Sequence, residues 1–167
     1  MTTIEIDEVE TPIGTMELGV HDGALVLLRV EEQWGSGEHA LARRFPDADV
    51  VSRRDPAGMT TAMQRYFDGD IHAIDDLAVD ARGSAFQEAV WKAVRDVPGG
   101  ESATYGEIAR WIGNPAAVRA VGTAVGANPV GIVIPCHRIL PASGGVGKYG
   151  GGEHRKAWLL AHEGVEV

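Results

Sequence analysis

The chain is poor in cysteine, with one among 167 residues, Cys136. That excludes an internal disulfide and any cluster built from several thiolates. A lone thiol suits a reducing compartment. No Lys or Arg occurs in the first 28 residues, so no positively charged start of a secretory signal is readable there. Long apolar runs are missing too, and none approaches the roughly 20 residues that span a bilayer. What is present is ordinary globular usage, 44% apolar and 23% charged, which excludes global disorder. The expectation is a soluble, cytoplasmic protein without membrane contact.

The net charge of −9 argues against a nucleic-acid partner, but its distribution is uneven. Residues 1–80 carry six Lys/Arg against 17 Asp/Glu, and residues 81–167 carry nine against seven. Such an asymmetry predicts two modules. The mildly basic second module permits a phosphate backbone nearby without demanding one.

The first thirty residues read as β structure. Ile4-Glu5-Ile6-Asp7 alternates, Thr11-Pro12-Ile13-Gly14 has turn chemistry, and residues 16–20 form a second run. Asp22-Gly23 before residues 25–30 is a hairpin signal. Residues 31–38, acidic and bearing Gly and Ser, read as a loop. Helical patches near 39–45 and 56–67, with a strand around 49–53, complete an α/β N-terminal domain: a small antiparallel sheet with helices, residues 1–80. It offers no cluster of reactive groups and is assigned a supporting role.

From Ser84 the texture is mainly α-helical. Ser84 with Gln87 and Thr104 with Glu107 are capping boxes, each opening a helix. Pro98-Gly99-Gly100 ends the first. Gly113-Asn114-Pro115 supplies a stop, an N-cap and a proline at the first position of a helix over 115–125. Two short helices joined by three or four residues with a Gly are a helix-turn-helix signature; an ordinary helical hairpin fits the pattern as well. The helix over 115–125 is built from Ala, Val and Gly with one charge, Arg119. A helix reading base edges carries several polar side chains. This one is suited to burial, or to pressing on a groove without reading sequence, with Arg119 able to probe a base stack or a phosphate.

The one thiol lies in Pro135-Cys136-His137-Arg138, after an Asn128-Pro129 turn and a short buried strand or extended run at 132–134. Pro135 suits the first position of a helical turn. Cys136 would then sit at a helix N-terminus, where the macrodipole favours thiolate, with His137 and Arg138 close by. A small inert cysteine at a strand end fits these four residues equally. Residues 143–152 form a glycine-rich loop in which backbone can approach a ligand. Its Gly145-x-Gly147-x-x-Gly150 is no dinucleotide fingerprint, because only 17 residues remain after Gly150. Tyr149 after Gly147-Lys148 excludes a P-loop, and the terminal His and Glu residues have no zinc-binding spacing. A terminal helix over 153–162 delivers Glu163, either exposed or placed to orient a histidine that activates a thiol.

Together these residues resemble the O6-alkylguanine-DNA alkyltransferase family. The resemblance covers about residues 84–165: Phe86-Gln87, Trp91, Thr104-Tyr105-Gly106, Gly113-Asn114-Pro115, Arg119-Ala120-Val121-Gly122, Asn128-Pro129, the Pro-Cys-His-Arg core, Tyr149-Gly150-Gly151-Gly152 and Ala161-His162-Glu163-Gly164. In the N-terminal half only Thr11-Pro12-Ile13-Gly14 matches in sequence. The resemblance implies that residues 81–167 form a DNA-binding and alkyl-acceptor domain with a helix-turn-helix. Cys136 would accept the alkyl group irreversibly, activated through a water by His137, itself oriented by Glu163. Tyr105 would protonate the leaving guanine. The backbone of Gly150 and the carbonyls of Cys136 and Ile139 would hold a flipped base against Tyr149. Asn128 would brace the turn under the cysteine. Arg119 would fill the vacated stack from a helix whose Ala120 and Gly122 enter the minor groove, and Arg138 is counted with the DNA-contacting residues. The implied partner is duplex DNA carrying O6-alkylguanine or O4-alkylthymine, bound by a monomer, singly or cooperatively. No cofactor is implied, and no metal is expected, because the N-terminal half lacks the cysteines that hold zinc in some relatives. Position 136 is Cys rather than the Trp of the non-repairing alkyltransferase-like proteins. A cysteine hydrolase and a non-catalytic DNA-binding regulator are the rival readings; the first predicts turnover, the second a dispensable Cys136.

Overall fold

The computed structural model describes residues 2–31 and 37–167 and divides into two units, Met1–Ala81 and Arg82–Val167. No helix among the described residues is long and apolar enough to cross a membrane.

In the first unit, β1 (Thr3–Thr11), β2 (Gly14–His21) and β3 (Ala24–Val30) form an antiparallel meander. Asp22 and Gly23 both take positive φ, 48° and 78°, as a two-residue hairpin turn of matching twist requires. The chain then runs through α1 (Gly37–Arg44) to β4 (Asp49–Ser52), which pairs parallel to β1 and gives the order β3-β2-β1-β4. The sheet is therefore mixed, not antiparallel as expected. A connection containing a helix brings the chain to the far edge running in the same direction as β1. Ile4, Val26, Leu27, Leu41 and Phe45 close the core between sheet and α1. The loop expected over 31–38 falls largely on residues 32–36, outside the described ones; its last two residues, Gly37 and Glu38, open α1. The second helical patch divides into a 3-10 turn, Pro56–Gly58, and α2 (Met59–Phe67), which packs on β1.

The second unit contains α3 (Ala85–Arg95), α4 (Tyr105–Trp111), α5 (Val118–Gly126) and α6 (Glu153–His162), with a small parallel pair β5 (Ala103–Thr104) and β6 (Ile139–Leu140). Both capping boxes are complete: Ser84 with Gln87, and Thr104 with Glu107. The helix expected over 115–125 starts later, at Val118. Ala117 N–H donates to Asn114 O at 3.0 Å and closes a separate turn, and regular helical bonding resumes with Val121 N–H to Ala117 O at 2.9 Å. The α4–α5 connection is thus residues 112–117, longer than three or four. Buried Trp91 on α3 fixes the end of α5 by donating its indole N–H to Ala124 O at 2.8 Å.

Candidate active site

Residues 132–134 are buried as expected, but they form a turn, not an extended run. Ile134 N–H donates to Val130 O at 3.0 Å and Val133 N–H to Gly131 O at 2.8 Å. The chain then enters a single 3-10 turn, Cys136–Arg138, with Pro135 as its N-cap instead of its first helical residue. Three residues sum too few peptide dipoles to act as a helix N-terminus, so the expected dipole-stabilised thiolate is corrected. Cys136 is 5% exposed, and burial pushes its thiol up to about 12, against a hydrogen bond from Asn128 and the charge of Lys156.

Asn128 is wired into this turn at three points. Its Nδ2 donates to Ile134 O at 2.8 Å and to Cys136 Sγ at 3.0 Å, and its Oδ1 accepts Val130 N–H at 2.9 Å. On the next residue, His137 Nε2 lies 2.9 Å from Glu163 Oε2. Burial holds the imidazole below its ordinary pKa, overriding the carboxylate, so the ring is neutral and Nε2 carries the proton toward Glu163. Nδ1 then presents a lone pair with no hydrogen-bond partner among the described residues.

Arg138 is corrected from a DNA-contacting residue to an internal one. It is 3% exposed. Its Nε donates to Glu163 Oε1 at 2.8 Å, Nη2 to Glu163 Oε2 at 2.9 Å and Nη1 to Val97 O at 2.7 Å. Burial alone would raise the Glu163 pKa, but the hydrogen bonds from His137 and Arg138, with the guanidinium charge, outweigh it and hold the carboxyl well below the usual range. Glu163 is therefore an ionised, fully engaged carboxylate at the end of α6.

Tyr105 is the first residue of α4, half-buried, with its pKa raised by burial and by Cys136. A Cβ placed on Gly122 of α5 would meet the Tyr105 ring at 3.9 Å, which brings the two helices together beside the thiol. Arg119 and Ala120 are exposed on the first turn of α5, and Gly122 is half-buried. Tyr149 is half-buried in the glycine loop, its pKa raised by burial first and by Cys136 second. Gly150 is exposed, and a Cβ on neighbouring Gly151 would strike the Tyr149 ring at 2.9 Å. The Ile139 and Cys136 carbonyls already have partners, Lys156 Nζ at 2.6 Å and the Ile139 N–H respectively. Each keeps a second lone pair.

Lys156 is the residue that sequence reasoning missed. It is fully buried, donates to Ile139 O and to Lys148 O at 3.2 Å, and sits 5.9 Å from the Tyr105 ring centroid. Burial lowers its pKa to about 8, against the pull of Cys136. A signal existed: Lys156, Leu159, Leu160 and Glu163 recur at helical spacing on one buried face.

The result is a buried cysteine followed directly in the chain by a neutral histidine that is bonded to an ionised carboxylate. A family model described as the DNA-binding domain of 6-O-methylguanine DNA methyltransferase matches residues 85–165. A methylated-DNA–protein-cysteine methyltransferase of Salmonella typhimurium is 39% identical over 162 residues, 95% of this chain and 94% of that protein. A Mycobacterium tuberculosis protein of the same name is 42% identical over 155 residues, covering 93% and 89%. The crystal structure of the M. tuberculosis O6-methylguanine methyltransferase superposes with a TM-score of 0.80 at 37% identity, covering 98% of this chain and 93% of that one. The chain belongs to the methylated-DNA–protein-cysteine methyltransferase family.

Proposed function

We propose that the chain repairs duplex DNA directly, moving the alkyl group of O6-alkylguanine, and of O4-alkylthymine, onto Cys136. The observation that carries this reading is the setting of the thiol: a buried Sγ receiving the Asn128 N–H, next in sequence to a neutral His137 whose Nδ1 has no hydrogen-bond partner among the described residues. In the step, the thiol proton passes through a bridging water to Nδ1, and the Glu163 carboxylate stabilises the imidazolium that forms. Sγ bonds to the alkyl carbon, the carbon–O6 bond breaks, and its electron pair returns to the purine. A ring nitrogen takes up the proton of the Tyr105 hydroxyl, and the proton held on the imidazolium returns through solvent to the phenolate, so that the proton lost by the thiol balances the one gained by guanine. Burial keeps that hydroxyl protonated at neutral pH. The Lys156 ammonium offsets the negative charge gathering on sulfur. No second nucleophile acts on the thioether, and each molecule reacts once.

Reaching O6 inside a duplex requires the nucleotide to be flipped out, at a cost of a few kcal/mol. In this reading α4 and α5 are the helix-turn-helix. Ala120 and Gly122 let α5 approach the minor groove, and Arg119 fills the vacated stack. The Gly150 backbone and the carbonyls of Cys136 and Ile139 hold the base against Tyr149. Residues 81–167 carry binding and chemistry in a monomer, and residues 1–80 support them. Excess free O6-benzylguanine tests the proposal. The expected result is one mole of guanine released per mole of protein, and then none. Continued release would mean hydrolytic turnover and overturn it.

A further inference from the structure

The turn that presents the thiol contains a backbone conformation that its sequence does not favour. Ile132 has φ 68°, a genuine outlier for a β-branched side chain. With the Val133 N–H donating back to Gly131 O at 2.8 Å, Ile132 is the centre of a positive-φ γ-turn, the rare and strained form. Three residues on, Pro135 has φ −82° and ψ 64°, and Cys136 N–H donates to Ile134 O at 2.8 Å. That is an inverse γ-turn, the unstrained form. Gly131 stands next to Ile132 and would adopt positive φ freely, yet it is not among the glycines that do. The strain is placed on a residue that is 1% exposed. Such conformations persist only where the surroundings over-determine them, and they cluster at functional sites.

We infer that Ile132 is a positioning residue for the thiol: its left-handed backbone turns residues 131–136 so that Ile134 O and Cys136 Sγ converge on the single Asn128 amide. The convergence is visible in the bonds from Nδ2 to both atoms, 2.8 Å and 3.0 Å, and in Oδ1 closing the start of the turn on Val130 N–H. The other groups near the sulfur come from elsewhere: Lys156 from α6, Tyr105 from α4 and Tyr149 from the glycine loop. None of them is bonded to residues 131–134 by any contact described above. Among the described side-chain contacts, it is Asn128 that ties the shape of the turn to the sulfur atom itself. The buried Ile132 side chain holds the turn down, and its backbone aims it.

This inference rests on Cys136 being the alkyl acceptor. Ile132→Ala and Ile132→Gly separate its two halves. Both remove the side chain, but only glycine takes positive φ without penalty. A packing role alone predicts that Gly is no better than Ala, as at an ordinary site. The positioning role predicts the reverse. Ile132→Ala should slow single-turnover transfer from a free alkylated base about tenfold or more, while Ile132→Gly stays closer to the unmutated rate. The Asn128 side-chain amide resonances, which report the contact without any activity, should move in Ile132→Ala and stay in place in Ile132→Gly. Equal rates in the two variants, or an Asn128 signal indifferent to both, would overturn the inference. Transfer persisting in Cys136→Ala would instead overturn the reading beneath it. Should neither Ile132 variant fold, the unmutated protein still decides. Ile132 must give the strong intraresidue amide-to-α-proton NOE of a positive φ, and its absence would end the proposal.

Discussion

Glu163 carries more of the site than any other single side chain, because it holds His137 and Arg138 at once. Removing one partner of a buried ion pair strands the other charge, typically at about 3–5 kcal/mol. Glu163→Gln is therefore expected to lower unfolding stability in urea at neutral pH by about that order. The native carboxyl titrates well below its ordinary 4.5. A depressed carboxyl contributes stability that is complete above the unfolded value and lost as pH falls below it. The gap between the two proteins should thus be constant near neutrality and narrow below about pH 4.5; a gap that widened in acid would contradict the ionised assignment. His137 gives a second pH signature. Burial holds it below its ordinary 6.5, so its proton-accepting form survives into mildly acidic solution. The rate of transfer from a free alkylated base should run flat through pH 6.5 and fall only beneath it. A rate midpoint at or above 6.5 would mean a solvated imidazole.

Among the elements, α4 and α5 divide the work between local and distant causes. Tyr105 is the first residue of α4, and Thr104 caps it by accepting the Glu107 N–H at 3.1 Å. Thr104→Ala is expected to cost about 1 kcal/mol of stability, read as a shift in the urea midpoint. No loss would mean that packing alone holds the helix. Such caps were legible in the sequence because both partners lie within four residues. The start of α5 was not, because the turn closed by Ala117 and Asn114 displaces it to Val118. Arg119 is the one long side chain on that helix. Arg119→Ala is expected to slow repair in duplex DNA far more than reaction with a free base, since only the duplex leaves a vacated stack to fill. Single-turnover rates at saturating protein on both substrates decide this. Equal losses would point to a damaged pocket instead.

In the molecule as a whole, what could be read in advance was whatever depends on neighbours in the chain. The β1–β2–β3 meander follows from alternation and from Asp22-Gly23. The parallel placement of β4 beside β1 does not, because it joins residues more than forty positions apart. Cys136, His137 and Glu163 were nameable from their motif. The burial of Arg138 and Lys156 was not, since charged residues in a turn and a helix read as solvated until α6 packs against that turn. The same burial reverses the expected thiolate and leaves a high-pKa thiol that needs a base. The account therefore stands on where the alkyl group ends up. Duplex DNA with a labelled O6-methylguanine should be mixed with equimolar protein, digested, and the labelled peptide sequenced by mass spectrometry, with Cys136→Ala in parallel. The account predicts one label per molecule, all of it on Cys136 as a thioether, and none in the variant, which should fold and bind DNA much as before. Label on any other residue, or transfer by Cys136→Ala, would contradict it.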